Sequence, residues 1–219
     1  MKTISPSPRN AGERVGVRGL ADPLRAPLRA MKATVFDYGA GNLHSLLRAL
    51  AAVGVEARVD TDPARSVEDT RLLVLPGVGA FGSAAARLAP GRDAMRRALD
   101  GGLPCLGICL GMQLLFDASE EGAGAGLGFV GGQVTRLRTR RCPHIGWTRV
   151  DGFSEMYFAH GYACRPTDAT VVTAWAQHDD ERVAAIVRRG RTVGVQFHPE
   201  KSSAAGLALL RGLVSEVTS

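Results

Sequence analysis

The sequence predicts a three-layer α/β fold with a mixed, mainly parallel central sheet and helices on both faces. Two observations predict it. From Met31 onward, short apolar segments alternate with stretches whose apolar residues recur at helical spacing. The second half then turns to closely spaced apolar segments of strand length. A chain of 219 residues suits one such domain.

The first half alternates predicted strands and helices, an order typical of a parallel sheet covered on both faces. The predicted strands are Ala33–Asp37, Val55–Val59, Leu72–Leu75 and Leu103–Ile108. The predicted helices are Asn42–Val53, Ala84–Asp100 (with a break at Pro90 left open) and Leu110–Ala118.

The second half is richer in predicted strands. These are Gln133–Leu137, Trp147–Val150, Met156–His160, Val171–Trp175, Val183–Val187 and Val193–Phe197. A terminal helix follows, with Ser202 as its candidate N-cap. Its predicted apolar face consists of Leu207, Leu210, Val214 and Val217.

Residues 1–30 differ in composition from the rest. They hold four prolines, six basic and two acidic residues, and no periodic apolar face. We expect a disordered extension or a misplaced start codon before a domain at 31–219. A basic transit peptide is the alternative, which the prolines oppose. This segment supplies most of the formal net charge of +6, so the near-neutral remainder does not indicate nucleic-acid binding.

The cysteines point to a reduced environment. Cys105, Cys109, Cys142 and Cys164 match no common zinc spacing, and a disulfide framework is not expected at this length. No apolar run reaches the roughly 18 residues that a membrane span needs. We therefore expect a cytoplasmic protein without a metal or cofactor, in which one thiol is a candidate nucleophile.

The candidate nucleophile is Cys109, in the segment Gly107-Ile108-Cys109-Leu110-Gly111. This pattern is a nucleophile elbow with cysteine in place of serine. The two glycines permit a tight turn, and the turn places the sulfur at the start of a helix, where peptide dipoles stabilise a thiolate. The N–H of Leu110 is a candidate oxyanion donor. The alternative is a buried structural cysteine between packing glycines.

The candidate base is His198, followed by Pro199 and Glu200 at the end of a predicted strand. Residues two apart in an extended segment project to the same side, so Glu200 can orient the imidazole. A surface turn or a pair of metal ligands are the alternatives. The elbow cysteine and the His-Pro-Glu segment together are much more specific than either alone.

Five segments resemble the class I (triad) glutamine amidotransferases, and among these the glutaminase subunits of imidazole glycerol phosphate synthase. The resemblance covers roughly residues 32–215. The segments are Gly107–Leu115 (GICLGMQLL), Gln196–Ser202 (QFHPEKS), Asp37–Asn42 (DYGAGN), Pro76–Phe81 (PGVGAF) and Pro143–Trp147 (PHIGW). The resemblance implies a flavodoxin-like arrangement and glutamine hydrolysis through a thioester on Cys109, with His198 and Glu200 completing the triad.

The resemblance also implies further roles and a partner. The ammonia would pass to a (β/α)₈ barrel cyclase subunit, which converts the ribonucleotide PRFAR to imidazole glycerol phosphate and AICAR. A change at the oxyanion segment would couple glutaminase activity to that partner's ligand. The implied oxyanion residues are Gly77, Val78, Gly79 and Leu110. The implied glutamine-binding residues are Gln113, Glu121, His160, Gly161 and Tyr162. The implied interface residues are His144, Trp147 and Lys201.

Two positions depart from the family pattern. Gly161 stands where Ser or Thr is expected, and Thr148 where Asn is more usual. The alternatives are a glutaminase of pyridoxal phosphate, anthranilate or purine synthesis, a non-hydrolytic binding protein of the same fold, and a cysteine peptidase. DYGAGN, PGVGAF and PHIGW favour the histidine branch, and an intact triad opposes a pure binding role.

Overall fold

The computed structural model describes residues 31–39 and 43–219. The strands are β1 Met31–Phe36, β2 Val55–Asp60, β3 Leu72–Leu75, β4 Cys105–Ile108, β5 Ala118–Ser119, β6 Gly132–Arg136, β7 His144–Arg149, β8 Glu155–His160, β9 Tyr162–Pro166, β10 Val172–His178, β11 Glu181–Arg189 and β12 Thr192–Val195. The helices are α1 His44–Ala52, α2 Phe81–Leu88, α3 Arg92–Asp100, α4 Leu110–Gln113 and α5 Ser203–Thr218. The predictions for residues 1–30 and for Asn42 lie outside the described residues.

Seven strands form the central sheet, in the order β10-β11-β12-β4-β3-β1-β2. The five from β12 to β2 are parallel, while β11 and β10 are antiparallel additions at one edge. The predicted mixed, mainly parallel sheet is therefore confirmed. Val195 pairs with Ile108, so the carboxyl ends of β12 and β4 lie side by side. Ligands bind at this edge of open α/β sheets.

The sheet is covered on both faces, which accounts for its fully buried strands. One core packs α1 and α5 against the sheet, and the other packs α2 and α3 against the opposite face. Two smaller sheets, β5-β6-β9 and β7-β8, complete the chain. The β7–β8 hairpin extends to the active-site end, because the backbone N–H of His198 donates to the carbonyl of Tyr157 in β8 at 2.8 Å.

The predicted helix Leu110–Ala118 is wrong in length. Only α4 is helical, and Ala118 begins a short strand. The carbonyls of residues 114 to 116 instead accept hydrogen bonds from the backbone of residues 127, 128 and 130. These long-range bonds replace the helical ones, although the leucine and phenylalanine side chains there suit a helix.

Three other regions refine the sequence predictions. The predicted helix Ala84–Asp100 is broken at Pro90, as the sequence left open, into two helices separated by a 3₁₀ turn at Ala89–Gly91. Strand β9 was not predicted, because its sequence YACRP lacks alternation and ends in proline. Ser202 does precede α5, but its hydroxyl makes no capping hydrogen bond to that helix.

Candidate active site

Cys109 lies at the turn between β4 and α4 with φ +48° and ψ −104°. Few L-residues adopt such a backbone, and its persistence requires tight surrounding packing. The packing is visible at both elbow glycines. A Cβ on Gly107 would lie 2.7 Å from the carbonyl oxygen of Gly111, and a Cβ on Gly111 would lie 2.0 Å from that of Leu75. The elbow therefore excludes any side chain at these two positions.

His198 follows β12 and is buried beside Cys109. Its Nδ1 lies 2.8 Å from Glu200 Oε1, so Nδ1 donates to the carboxylate. This arrangement leaves Nε2 for Cys109. Burial lowers the pKa of His198, but hydrogen bonds with the Cys109 sulfur and with Glu200 outweigh it and raise the pKa to about 9. The imidazolium, which can donate a proton to a leaving group, is therefore the main form near neutral pH.

Glu200 orients His198 with only one of its oxygens. Its Oε2 is buried and has no hydrogen-bond partner among the described residues. The backbone of His198 is held separately. Its carbonyl accepts from the Ser202 hydroxyl at 2.6 Å, and that hydroxyl accepts from the N–H of Tyr157 at 2.9 Å. Ser202 thus ties the base to β8, which explains why it does not cap α5.

The candidate oxyanion segment Gly77–Gly79 follows β3 and faces the triad. The buried Tyr38 hydroxyl donates to the carbonyl of Pro76, which anchors the start of the segment. A Cβ on Gly77 would lie 2.9 Å from His198 Cε1 and 3.1 Å from Cys109 Cβ. Gly79 has φ +116°, a value that favours glycine. Glycine at 77 therefore makes room for the nucleophile and the base.

A cavity of about 240 Å³ opens on the Cys109 side chain. Drug-sized ligands occupy pockets of roughly 300–1,000 Å³, so this volume suits a smaller molecule such as an amino acid. The cavity brings together the predicted triad cysteine and histidine with all predicted oxyanion and glutamine-binding residues. Its lining consists of Gly77, Val78, Gly79, Cys109, Leu110, Gln113, Glu121, Ala159, His160, Gly161, Tyr162, His198 and Lys201.

Gln113 and Glu121 provide polar groups in the lining of the cavity. Gln113 Nε2 donates to the carbonyl of Tyr162 at 3.0 Å and lies 3.5 Å from Gln196 Oε1. Glu121 Oε2 accepts from the N–H of Phe81 at 2.8 Å, at the N-terminus of α2. These hydrogen bonds hold both side chains in place. They do not use Oε1 of Gln113 or Oε1 of Glu121.

The segment Ala159–Tyr162 forms the rest of the wall. The carbonyl of Ala159 lies 4.0 Å from Cys109 Sγ. A Cβ on Gly161 would meet nothing closer than Pro143 Cβ at 3.9 Å, so the position has room for a small side chain. The glycine at 161 is therefore not a steric requirement of this fold.

The three predicted interface residues differ in exposure. Trp147 is 50% exposed, and Lys201 is exposed at the rim of the cavity. His144 is only 2% exposed and stacks on His178 and Phe158. His144 therefore forms no part of the free surface, and its expected place near a subunit interface stays a prediction in which its side chain acts through its neighbours.

Sequence reasoning missed Gln196 as a site residue. Its side chain is buried, and its Nε2 lies 3.7 Å from Cys109 Sγ. The sequence held a signal for it, since Gln196 lies only two residues before the candidate base His198, just after the end of β12 at Val195. Ala159 was also missed, because it contributes through its backbone.

The other cysteines differ from Cys109. Burial raises the pKa of Cys105 and that of Cys164 well above the usual range, so both stay protonated and unreactive. The four thiols are free.

Within residues 31–39 and 43–219, no group of three or more His, Cys, Asp or Glu residues is arranged to hold a metal ion. In the same residues, no helix has the length and apolarity of a membrane span.

Relatives of known identity match nearly the whole described chain. The chain is 39% identical over 202 residues to the imidazole glycerol phosphate synthase subunit HisH of Gloeothece citriformis (strain PCC 7424). The aligned region covers 84% of this chain and 95% of that protein. It is 41% identical over 201 residues to the subunit of the same name from Synechococcus elongatus (strain ATCC 33912 / PCC 7942 / FACHB-805), covering 84% and 92%.

Solved structures agree on the fold. A crystal structure of a glutamine amidotransferase matches 86% of this chain and 99% of its own with a TM-score of 0.67 at 20% identity. A glutamine amidotransferase from Thermotoga maritima matches 87% and 99% with a TM-score of 0.63 at 18% identity. The model of the family described as glutamine amidotransferase class-I matches residues 34–214. With its elbow cysteine, paired His-Glu and this match, the chain belongs to the class I glutamine amidotransferase family.

Proposed function

We propose that this chain is the glutaminase subunit of an imidazole glycerol phosphate synthase, with residues 31–219 as its catalytic domain and the cytoplasm as its location. It hydrolyses glutamine to glutamate and ammonia. The carrying observation is one cavity lined by Cys109, His198, Gln113 and Glu121, in which Glu200 holds His198 from outside the lining through a bond to Nδ1. The relatives named above, at about 40% identity, support the choice of pathway.

The arrangement supports a two-step acyl transfer. The Cys109 sulfur attacks the side-chain amide carbon of glutamine, and the resulting oxyanion is stabilised by the N–H of Leu110 and by the segment Gly77–Gly79. His198 donates its proton to the departing nitrogen, and ammonia leaves a thioester on the sulfur. His198 then takes a proton from water, the hydroxyl attacks the thioester, and the sulfur leaves as a thiolate, so glutamate is released and the thiolate–imidazolium pair that began the cycle is restored.

The substrate groups find complementary partners in the cavity. Glu121 and the Gln113 carbonyl suit the α-ammonium of glutamine, while His160, Gly161 and Tyr162 line the same cavity beside Cys109. Contact through backbone would make a hydroxyl at 161 dispensable. No cofactor is needed for these steps, because each is a proton or acyl transfer.

The partner in this proposal is a cyclase (β/α)₈ barrel that receives ammonia and converts PRFAR to imidazole glycerol phosphate and AICAR. On β7, Ile145 is 64% exposed and Trp147 50% exposed, and neighbouring exposed apolar residues favour a protein contact. Lys201 is exposed at the cavity rim, where a bound partner could reach it. Ligand binding in the barrel would complete the oxyanion site at Gly77–Gly79, so that ammonia forms only when it can be used.

The test is glutamate release by the full-length chain, alone and with the barrel subunit plus its ribonucleotide. We expect strong stimulation by the liganded barrel. Cys109→Ala should abolish it, and Cys142→Ser, a change at a half-buried cysteine outside the triad, should retain it.

Other outcomes would redirect the proposal. Cys109-dependent hydrolysis that ignores the barrel would keep the glutaminase but assign it to another biosynthetic pathway. Absence of hydrolysis under every condition would favour a binding protein of the same fold.

A further inference from the structure

Three buried histidines lie together behind the pocket wall. His144 stacks on His178 with ring centroids 3.9 Å apart and on Phe158 with centroids 4.5 Å apart. The third, His160, lines the cavity. Buried ring nitrogens need hydrogen-bond partners, and the partners determine which nitrogen carries the hydrogen. The cluster can therefore be analysed bond by bond.

A continuous chain of hydrogen bonds runs from β7 to the cavity. Thr148 Oγ1 lies 2.8 Å from His144 Nε2, and His144 Nδ1 lies 3.0 Å from His160 Nε2. His160 Nδ1 lies 2.8 Å from the carbonyl oxygen of Tyr162. The same carbonyl accepts from Gln113 Nε2 at 3.0 Å. The chain thus ends on a side chain proposed to bind glutamine.

The carbonyl at the end fixes the direction of every bond. A carbonyl only accepts, so His160 carries its hydrogen on Nδ1 and accepts on Nε2. Burial lowers the pKa of His160 to about 4 and that of His144 to about 3, so each ring is neutral near pH 7 and has one donor. His144 therefore donates from Nδ1, and its Nε2 accepts from the hydroxyl of Thr148.

The carbonyl end also orients the amide of Gln113. Both hydrogen bonds of this amide use its nitrogen, since its two neighbours are the Tyr162 carbonyl and Gln196 Oε1, which are acceptors. A flipped amide would place oxygen against oxygen. Oε1 accepts no hydrogen bond from the described residues, which leaves it available for an ammonium group in the cavity.

From this chain we infer that Thr148 and His144 are positioning residues for glutamine binding, acting through His160 and the Tyr162 carbonyl to hold Gln113 in its binding orientation. The inference rests on the proposed function, because it takes glutamine as the ligand of the cavity. It goes beyond the triad and the pocket, since neither Thr148 nor His144 lines the cavity.

Thr148 is the most informative position to change. Its hydroxyl is the donor that starts the chain, and it is half-buried, so valine can replace it at nearly equal volume. Valine would leave His144 Nε2 without a donor. The other tautomer of His144 would then place an acceptor opposite the accepting nitrogen of His160, so one hydrogen bond of the chain is lost either way.

The experiment measures glutamine binding by calorimetry, with the full-length chain in its complex with the barrel. A Cys109→Ala background prevents turnover. Thr148→Val should raise the Kd for glutamine about three- to tenfold, the cost of one buried hydrogen bond. Thr148→Ser and Thr148→Asn, which keep a donor, should restore the parental Kd.

Two further readouts separate positioning from general structural damage. With Cys109 intact, Thr148→Val should raise KM by the same factor and change kcat by less than about twofold. ¹⁵N NMR of the histidine rings should show His144 and His160 protonated on Nδ1 in the parent and a changed His144 in Thr148→Val. If that variant does not fold, His144→Gln serves as the second variant, with the same weakening expected.

The outcomes are distinct. An unchanged glutamine Kd in Thr148→Val would overturn the inference, as would equal weakening in all three Thr148 variants. Glutamine binding that depends on Thr148, in a chain that does not hydrolyse glutamine, would support the inference and overturn the proposed glutaminase function. A cavity that binds no glutamine would overturn both.

Discussion

The two sides of the cavity are built on different principles. The elbow side, consisting of Gly77, Gly107–Gly111 and His198, leaves no space for an added methyl group, whose nearest contacts would be 2.0 to 2.9 Å. The wall side, consisting of Ala159–Tyr162, leaves 3.9 Å at Gly161. Steric exclusion therefore sets the geometry of the nucleophile. Hydrogen bonds, with space around them, set the geometry of the proposed glutamine site.

A pair of alanine substitutions would test this contrast and should give the largest effect. Gly111→Ala places a Cβ against the Leu75 carbonyl, and we expect it to lower the free energy of unfolding by more than about 3 kcal/mol. Gly161→Ala, its matched control, should change that free energy by less than about 0.5 kcal/mol. Urea denaturation of the full-length chain measures both. Similar losses in the two variants would show that the contrast is false.

The pKa values of the histidines should also be shifted in opposite directions: that of His198 is raised, and those of His160 and of His144 behind the wall are lowered. NMR titration should give His198 a pKa of about 9, whereas His160 and His144 should stay neutral down to about pH 4 and pH 3. Glu200→Gln should move the His198 midpoint towards 6.5, because the carboxylate stabilises the imidazolium. A His198 midpoint unaffected by Glu200→Gln would contradict the orienting role proposed for Glu200.

The buried histidines His160, in the wall, and His144, behind it, have a consequence for stability at low pH. They are neutral when folded but take up protons near pH 6.5 when unfolded, so the unfolded state binds more protons below that pH. Their contribution to stability is therefore full above pH 6.5 and is lost as the pH falls from 6.5 towards 3. His144→Gln should make the acid-side decline of the unfolding free energy shallower. An unchanged slope would argue against a neutral, buried His144.

Apart from the Gly161→Ala control, the smallest effect on stability is expected at Glu121, which belongs to both the cavity and the N-terminus of α2. Glu121→Gln removes a negative charge from the helix N-terminus and weakens the bond to the Phe81 N–H. We expect a loss of about 1 kcal/mol or less in unfolding free energy. The KM for glutamine should also rise, since the ammonium group loses a charged partner. Loss of stability without a change in KM would limit Glu121 to a structural role.

The elbow side could be predicted from sequence because its information is local. The segment Gly107–Gly111 encodes the turn, and the closeness of His198 and Glu200 in the chain brings them together, although Pro199–Lys201 forms a 3₁₀ turn and not the expected extended segment. Gln196 lies equally close to His198 in the chain and could have been found. The mainly parallel sheet also followed from local periodicity.

The wall side could not be predicted in the same way. The burial of His144 follows from its pairing with His160 in the β7–β8 hairpin, and β9 exists because it pairs with β6. The early end of α4 depends on hydrogen bonds from residues 127 to 130. These are long-range pairings that no window of the sequence reveals. The roles of the wall residues accordingly came from resemblance, and they remain proposals.

The crowding at Gly111 has a consequence for how this gene can vary. Every glycine codon is one nucleotide away from an alanine codon, so the smallest possible side chain is always within reach of a single mutation. At Gly111 that change would bring a methyl group 2.0 Å from a backbone oxygen that no rotamer can move. A mutational scan should therefore show that Gly107 and Gly111 tolerate no substitution, while Thr148 and Gly161 accept several replacements. In such data, the elbow would be identified by the positions at which no substitution is tolerated.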